Sequence, residues 1–190
     1  QQNKISMWKQ LQSISKDEFI ISLLGYGKIG RYVNKRLNLL GFETKIWTRT
    51  KKLTNSKNYF FGDKQLSKCI EGSNCLISLL PLTKDTKNIV SLNEFKVLGS
   101  NAYFINVGRG ETDIEKDPHT ALLSGEIECA ALDVTDPEPL DENSPLWNLE
   151  NCFITPHDSA WGPRAPERAV ELFLLNLERY KKGDKLQNLV

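Results

Sequence analysis

The hexapeptide Gly25-Tyr26-Gly27-Lys28-Ile29-Gly30 limits most severely what this chain can fold into. It follows directly on an apolar run at 19–24 and opens a stretch in which Ile29, Val33, Leu37 and Leu40 recur at helical spacing before Gly41. Strand, glycine-rich turn and helix in that order form the opening of a dinucleotide-binding unit. The first glycine permits the tight turn, the second lets the backbone approach a pyrophosphate, and the third allows close packing of helix on strand. The helix amino terminus then offers unpaired N–H groups to the anion. These six residues are therefore expected to bind cofactor.

The rest of the chain agrees with such a unit. Apolar runs at 44–47, 75–80, 103–107, 129–134 and 152–155 are mostly continuous rather than alternating, as strands buried on both faces should be. Amphipathic stretches lie between them. Leu66, Cys69 and Ile70 make a short helix closed by Gly72, and from Arg164 to Lys182 a stripe of Ala169, Leu172, Phe173 and Leu177 stops at Gly183. The alternation predicts an α/β fold, a Rossmann-type doubly wound parallel sheet. The chain shows no repeat and no linker long enough to divide two domains.

Composition narrows the function classes. A net charge of +1 in 190 residues argues against a nucleic-acid binder, and no apolar run approaches the about 20 residues that cross a bilayer. No signal peptide is visible at the amino end. Cys69, Cys75, Cys129 and Cys152 form no CxxC, so neither a disulfide framework nor a metal site is expected. Buried reduced thiols in a cytoplasmic protein are the plain reading.

The end of the second strand bears on which dinucleotide is bound. An NAD enzyme usually places Asp or Glu there to accept from the ribose hydroxyls. Here Thr48, Arg49 and Thr50 stand in that place, followed by Lys51 and Lys52, with no acid among them. An arginine fork binds a phosphate bidentately. NADP (as NADPH) is therefore preferred, with NAD possible.

Ligands of such sheets bind outside the carboxyl ends of the strands, which gives three polar residues weight. Arg109 follows one strand in NVGRG, Glu138 another in LDVTDPEPL, and His157 a third in ITPH. A guanidinium clamps a carboxylate or polarises a carbonyl, an imidazole exchanges a proton near neutral pH, and a carboxylate beside it holds the tautomer. The only other histidine, His119, lies near a helix start and reads as structural.

Taken together, GYGKIG, LLPLT, NVGRG, ALLSGEI, ALDVTDPEPL, SPLW and ITPH resemble the D-isomer-specific 2-hydroxyacid dehydrogenases, in their order and at their spacings from Phe19 onward. WTRT and SPLW are similar to the NADPH-using glyoxylate and hydroxypyruvate reductase branch. The resemblance implies that Arg109 binds the substrate carboxylate and carbonyl, that His157 is the general acid, and that Glu138 pairs with it. It also implies that Asp133 holds the nicotinamide carboxamide, and that Leu80, Pro81, Thr83 and Val107 line the cofactor cleft. Some positions depart from the family pattern: Asp158 follows the histidine, Thr135 replaces a usual Phe, and Asp117-Pro118 interrupts a helix start.

Family members carry a substrate-binding domain before the cofactor domain, and this chain resembles only the cofactor half. The resemblance assigns residues 1–15 to the end of an interdomain helix and its connector, 16–162 to the dinucleotide-binding domain, and 163–190 to a carboxyl-terminal helix and tail. The whole enzyme is expected to be a homodimer reducing a small 2-ketoacid; this half alone is expected to bind cofactor without turnover. Two other readings stay open: a non-catalytic dinucleotide-sensing module, and a phosphoglycerate dehydrogenase-like enzyme using NAD.

Overall fold

The computed structural model describes residues 14–51, 57–114 and 116–188. The amino-terminal helix end expected before residue 12, and Lys52, lie outside the described residues. Among those described, seven strands form one sheet: β1 (Ile20–Leu24), β2 (Glu43–Thr48), β3 (Tyr59–Phe61), β4 (Cys75–Ser78), β5 (Tyr103–Asn106), β6 (Cys129–Leu132) and β7 (Cys152–Ile154). Their order is β3-β2-β1-β4-β5-β6-β7 and every pairing is parallel. The helices are α1 (Lys28–Leu39), α2 (Leu66–Ile70), α3 (Leu92–Leu98), α4 (Lys116–Ser124) and α5 (Ala165–Lys182).

The two-residue period of β1 shows why helices cover both faces. Ile21 and Leu23 point into a cluster with Val33 and Leu37 of α1, while Leu24 points into the larger core with α2, α3 and α4. That larger core holds Trp47, Phe95 and Phe104, all fully buried, with the two phenylalanine rings edge-on at 4.9 Å. Each such ring contributes about 1.5–3 kcal/mol by burial. This is the doubly wound sheet that the alternation of runs predicts.

Several local expectations are corrected. The helical stripe before Gly41 is shorter than its spacing suggests: Val33 and Leu37 pack, but Ile29 is 68% and Leu40 59% exposed. Ile29 sits in the first turn of α1, and Leu40 is its C-cap. The edge strand β3 and helix α3 were not expected. The runs at 75–80, 103–107, 129–134 and 152–155 overshoot their strands by one or two residues at the carboxyl end, where the chain turns into loops, whereas the run at 44–47 is shorter than β2 by one residue at each end. Of the four free thiols, only Cys69 and Cys75 are fully buried.

The chain divides into two compact units, one ending at His157 and the other starting at Asp158, where the sequence suggested 162/163 and no dividing linker. The second unit consists mainly of α5, ended by Gly183 in the left-handed conformation at φ 73°. Its apolar stripe is not buried: Phe173 is 65% exposed. No described helix is long and apolar enough to cross a membrane.

Candidate active site

From β1 the chain runs outward through β2 and β3, then crosses back to place β4 on the other side of β1. Connections therefore leave the carboxyl ends of β1 and β4 in opposite directions and open a crevice there. The GYGKIG turn lies at one lip and the Leu80–Thr83 segment at the other.

Each glycine of the turn has a separate cause. Gly25 has φ 104°, and a Cβ on it would lie 3.0 Å from the Leu79 carbonyl oxygen. A Cβ on Gly30 would lie 2.2 Å from the Gly25 carbonyl oxygen, so helix and turn touch only because it is absent. Gly27 is different, since a Cβ there would meet nothing within 4 Å. The protein's own packing does not require that glycine, and the open space leaves room for a ligand close to the backbone. Gly27 is also the N-cap of α1, with no side-chain cap and no acid in the first turn, which leaves the helix dipole facing the crevice. These residues fit a dinucleotide pyrophosphate.

At the end of β2, Thr48 is buried and its hydroxyl donates to the Thr50 carbonyl at 2.8 Å and shares a hydrogen bond with the Tyr59 hydroxyl. It therefore shapes the turn from within. Arg49 is exposed and reaches Asp85, in the loop after β4, at 2.7 Å. That loop is tied internally: the Thr86 hydroxyl donates to the Pro81 carbonyl at 2.6 Å and accepts the Thr83 N–H at 2.8 Å.

Arg109, Glu138 and His157 come together around one polar cavity, which Leu82, Glu111 and Asp136 also line. His157 Nδ1 and Glu138 Oε2 are 2.9 Å apart, and the N–H of Thr135 donates to the other carboxylate oxygen at 3.3 Å. The bond at Nδ1 fixes the ring and leaves Nε2 for a substrate. His157 holds φ 54°, a left-handed backbone that a non-glycine residue adopts at some cost. A second, largely apolar cavity of 630 Å³ lies against the same pair, walled by Trp147, Leu140 and Ile154, with Asp133 at its edge. Asp133 is buried and accepts the Thr155 hydroxyl at 2.6 Å. His119 lines neither cavity.

Two supporting residues escaped sequence reasoning. Asn106, fully buried at the end of β5, donates from Nδ2 to the Arg109 carbonyl at 3.1 Å and to Asp113 at 2.9 Å, while its Oδ1 accepts the Gly108 N–H at 3.0 Å. One amide thus shapes the NVGRG turn. Gly110 lets that turn meet the Glu138 turn, since a Cβ on it would lie 2.0 Å from the Thr135 carbonyl oxygen. Burial, with Asp117 and Asp136 nearby, pushes Asp113 up to about 7 against the bond from Asn106. A polar residue closing an apolar strand was the available signal for Asn106.

Residues 1–159 match the family model for the NAD binding domain of D-isomer specific 2-hydroxyacid dehydrogenases. Glyoxylate/hydroxypyruvate reductase A of Photorhabdus laumondii is 37% identical over 93% of this chain and 56% of its own, and that of Yersinia enterocolitica 34% identical over 100% and 60%. The chain thus spans little more than half the length of these relatives. Among solved structures, a probable 2-hydroxyacid dehydrogenase from Rhizobium etli in complex with NADP, HEPES and L(+)-tartaric acid superposes with a TM-score of 0.88 at 31% identity, covering 100% of this chain and 60% of that one. An NADPH-dependent glyoxylate/hydroxypyruvate reductase from Sinorhizobium meliloti, with NADP and sulfate, superposes at 0.89 with 27% identity over 100% and 60%.

Proposed function

The chain belongs to the D-isomer specific 2-hydroxyacid dehydrogenase family, and on that premise we propose that it is the cofactor-binding and catalytic-residue domain of an NADPH-dependent reductase of short 2-ketoacids such as glyoxylate or hydroxypyruvate. The observation that carries the reading is the 2.9 Å contact of His157 with Glu138 in the cavity that Arg109 also lines. A module that only senses a dinucleotide needs the glycine turn but not this trio.

When bound, the dinucleotide would supply a hydride for the keto carbon. Gly25, Gly27 and Gly30 would hold its pyrophosphate at the start of α1, and Leu80, Pro81, Thr83 and Val107 would border it. Arg49 and Thr50 would meet the 2′-phosphate, and Asp133 would take the carboxamide. Arg109 clamps the substrate carboxylate and steadies the charge that grows on the carbonyl oxygen. His157 gives that oxygen a proton, so that ketoacid, hydride and proton balance as a 2-hydroxyacid. Glu138 keeps the ring oriented. Free thiols without a CxxC support a cytoplasmic home, and the family likeness supports a homodimer for the whole enzyme.

The test is His157→Ala in the full-length natural protein. Turnover of glyoxylate with NADPH is expected to vanish while NADPH affinity stays within about twofold, a proton donor being worth about 10²–10⁴ in rate. Equal loss of both refutes the role.

A further inference from the structure

Arg49 is not free to await a phosphate: its guanidinium already holds the Asp85 carboxylate at 2.7 Å. The two residues belong to loops at the carboxyl ends of β2 and β4, and β1 lies between those strands. Their bridge therefore spans the end of β1, where the GYGKIG turn begins. Asp85 is presented from a turn in which the Thr86 hydroxyl bonds to the Pro81 carbonyl and to the N–H and hydroxyl of Thr83, so the fold sets where its backbone stands. Both partners are more than half exposed, which makes the pair weak enough to exchange. Nearby Lys51 is turned over the Phe61 ring at 5.6 Å, so Arg49 is the group that meets Asp85.

We propose that Asp85 is a built-in competitor for the 2′-phosphate subsite, occupying Arg49 until a 2′-phosphorylated dinucleotide displaces it, and so setting how strongly NADPH is preferred over NADH. The inference rests on the NADPH reading above. A carboxylate and a phosphate monoester present similar oxygens to a guanidinium, and they cannot share the same N–H. Once displaced, Asp85 remains as a negative charge beside the phosphate. Its presence lowers affinity only for ligands that bring that phosphate.

The test measures binding of NADPH, NADH and adenosine 2′-phosphate to the full-length natural protein and to its Asp85→Asn, Asp85→Ala and Arg49→Ala variants, with circular dichroism verifying the fold. Both Asp85 variants are expected to bind NADPH and adenosine 2′-phosphate about three- to tenfold more tightly, in the range of an exposed ion pair plus one relieved repulsion, with NADH unchanged within twofold. Weaker NADPH binding would mean that Asp85 orients Arg49 for the phosphate, and overturns the proposal. Equal gains for NADPH and NADH, or no change in either, also overturn it. If the parent protein shows no preference for NADPH and Arg49→Ala changes nothing, the NADPH reading itself fails, a result distinct from the others.

Discussion

Nδ1 of His157 lies 2.9 Å from Oε2 of Glu138, while the backbone of Thr135 holds the second oxygen of the same carboxylate. The carboxylate is thus fixed by its own turn before it meets the imidazole. Replacing it by an amide keeps the shape and removes the negative charge that faces the ring. Glu138→Gln is expected to lower kcat for ketoacid reduction about 100-fold, with KM and NADPH affinity little changed. Steady-state kinetics on the full-length protein read this out, and an unaltered kcat would remove Glu138 from the mechanism.

Gly27 and Gly30 make opposite demands on an added methyl group. On Gly30 it would lie 2.2 Å from a backbone oxygen, so helix and turn must part; on Gly27 it meets no protein atom within 4 Å. Gly30→Ala is therefore expected to destabilise the fold by about 1–3 kcal/mol or more. Gly27→Ala should unfold like the parent in urea yet bind NADPH at least about tenfold more weakly, because its methyl fills the space a pyrophosphate needs. Normal NADPH binding by Gly27→Ala would contradict the assignment of that space.

What the sequence disclosed, and what it hid, follows from how local each signal is. Buried parallel strands are written as unbroken apolar runs, and GYGKIG names a turn because each glycine answers a backbone constraint. The capping box of α3, Ser91 with Glu94, is equally local, but the helix behind it has only seven residues, too few to show a clear apolar period. Asn106 and Gly110 could not be singled out in the same way. Asn106 meets Asp113 only when the connection after β5 folds back on itself, and Gly110 meets Thr135 only when two loops come together in space. The Arg49–Asp85 bridge is of the same kind: 35 residues of chain lie between two side chains that the sheet order brings together.

The thiols give a further check on the core. Burial pushes Cys69 and Cys75 up to about 12 and Cys152 up to about 11, so the thiolate that reacts is scarce in the folded protein. At pH 7.5 a disulfide reagent such as 5,5′-dithiobis(2-nitrobenzoate) is expected to leave Cys69 and Cys75 unmodified over an hour and to label all four cysteines in guanidinium chloride. Fast labelling of either buried cysteine in the native state would show that α2 or β4 opens readily.

Asp113 carries the pH dependence. Its carboxyl titrates near 3.9 in an unfolded chain, and burial raises it to about 7 in the fold. Between those values the unfolded chain has released the proton that the folded chain keeps, so stability falls as pH rises from about 4 to about 7 and stays reduced above. Asp113→Asn removes the titration while still accepting the bond from Asn106. The variant is expected to exceed the parent in urea stability at pH 8 by about 2–4 kcal/mol, with the gap shrinking to roughly a third of that at pH 5. A gap that is the same at both pH values would mean that Asp113 is already ionised in the folded protein at pH 5, and that the carboxyl beneath the Arg109 turn is held as an anion.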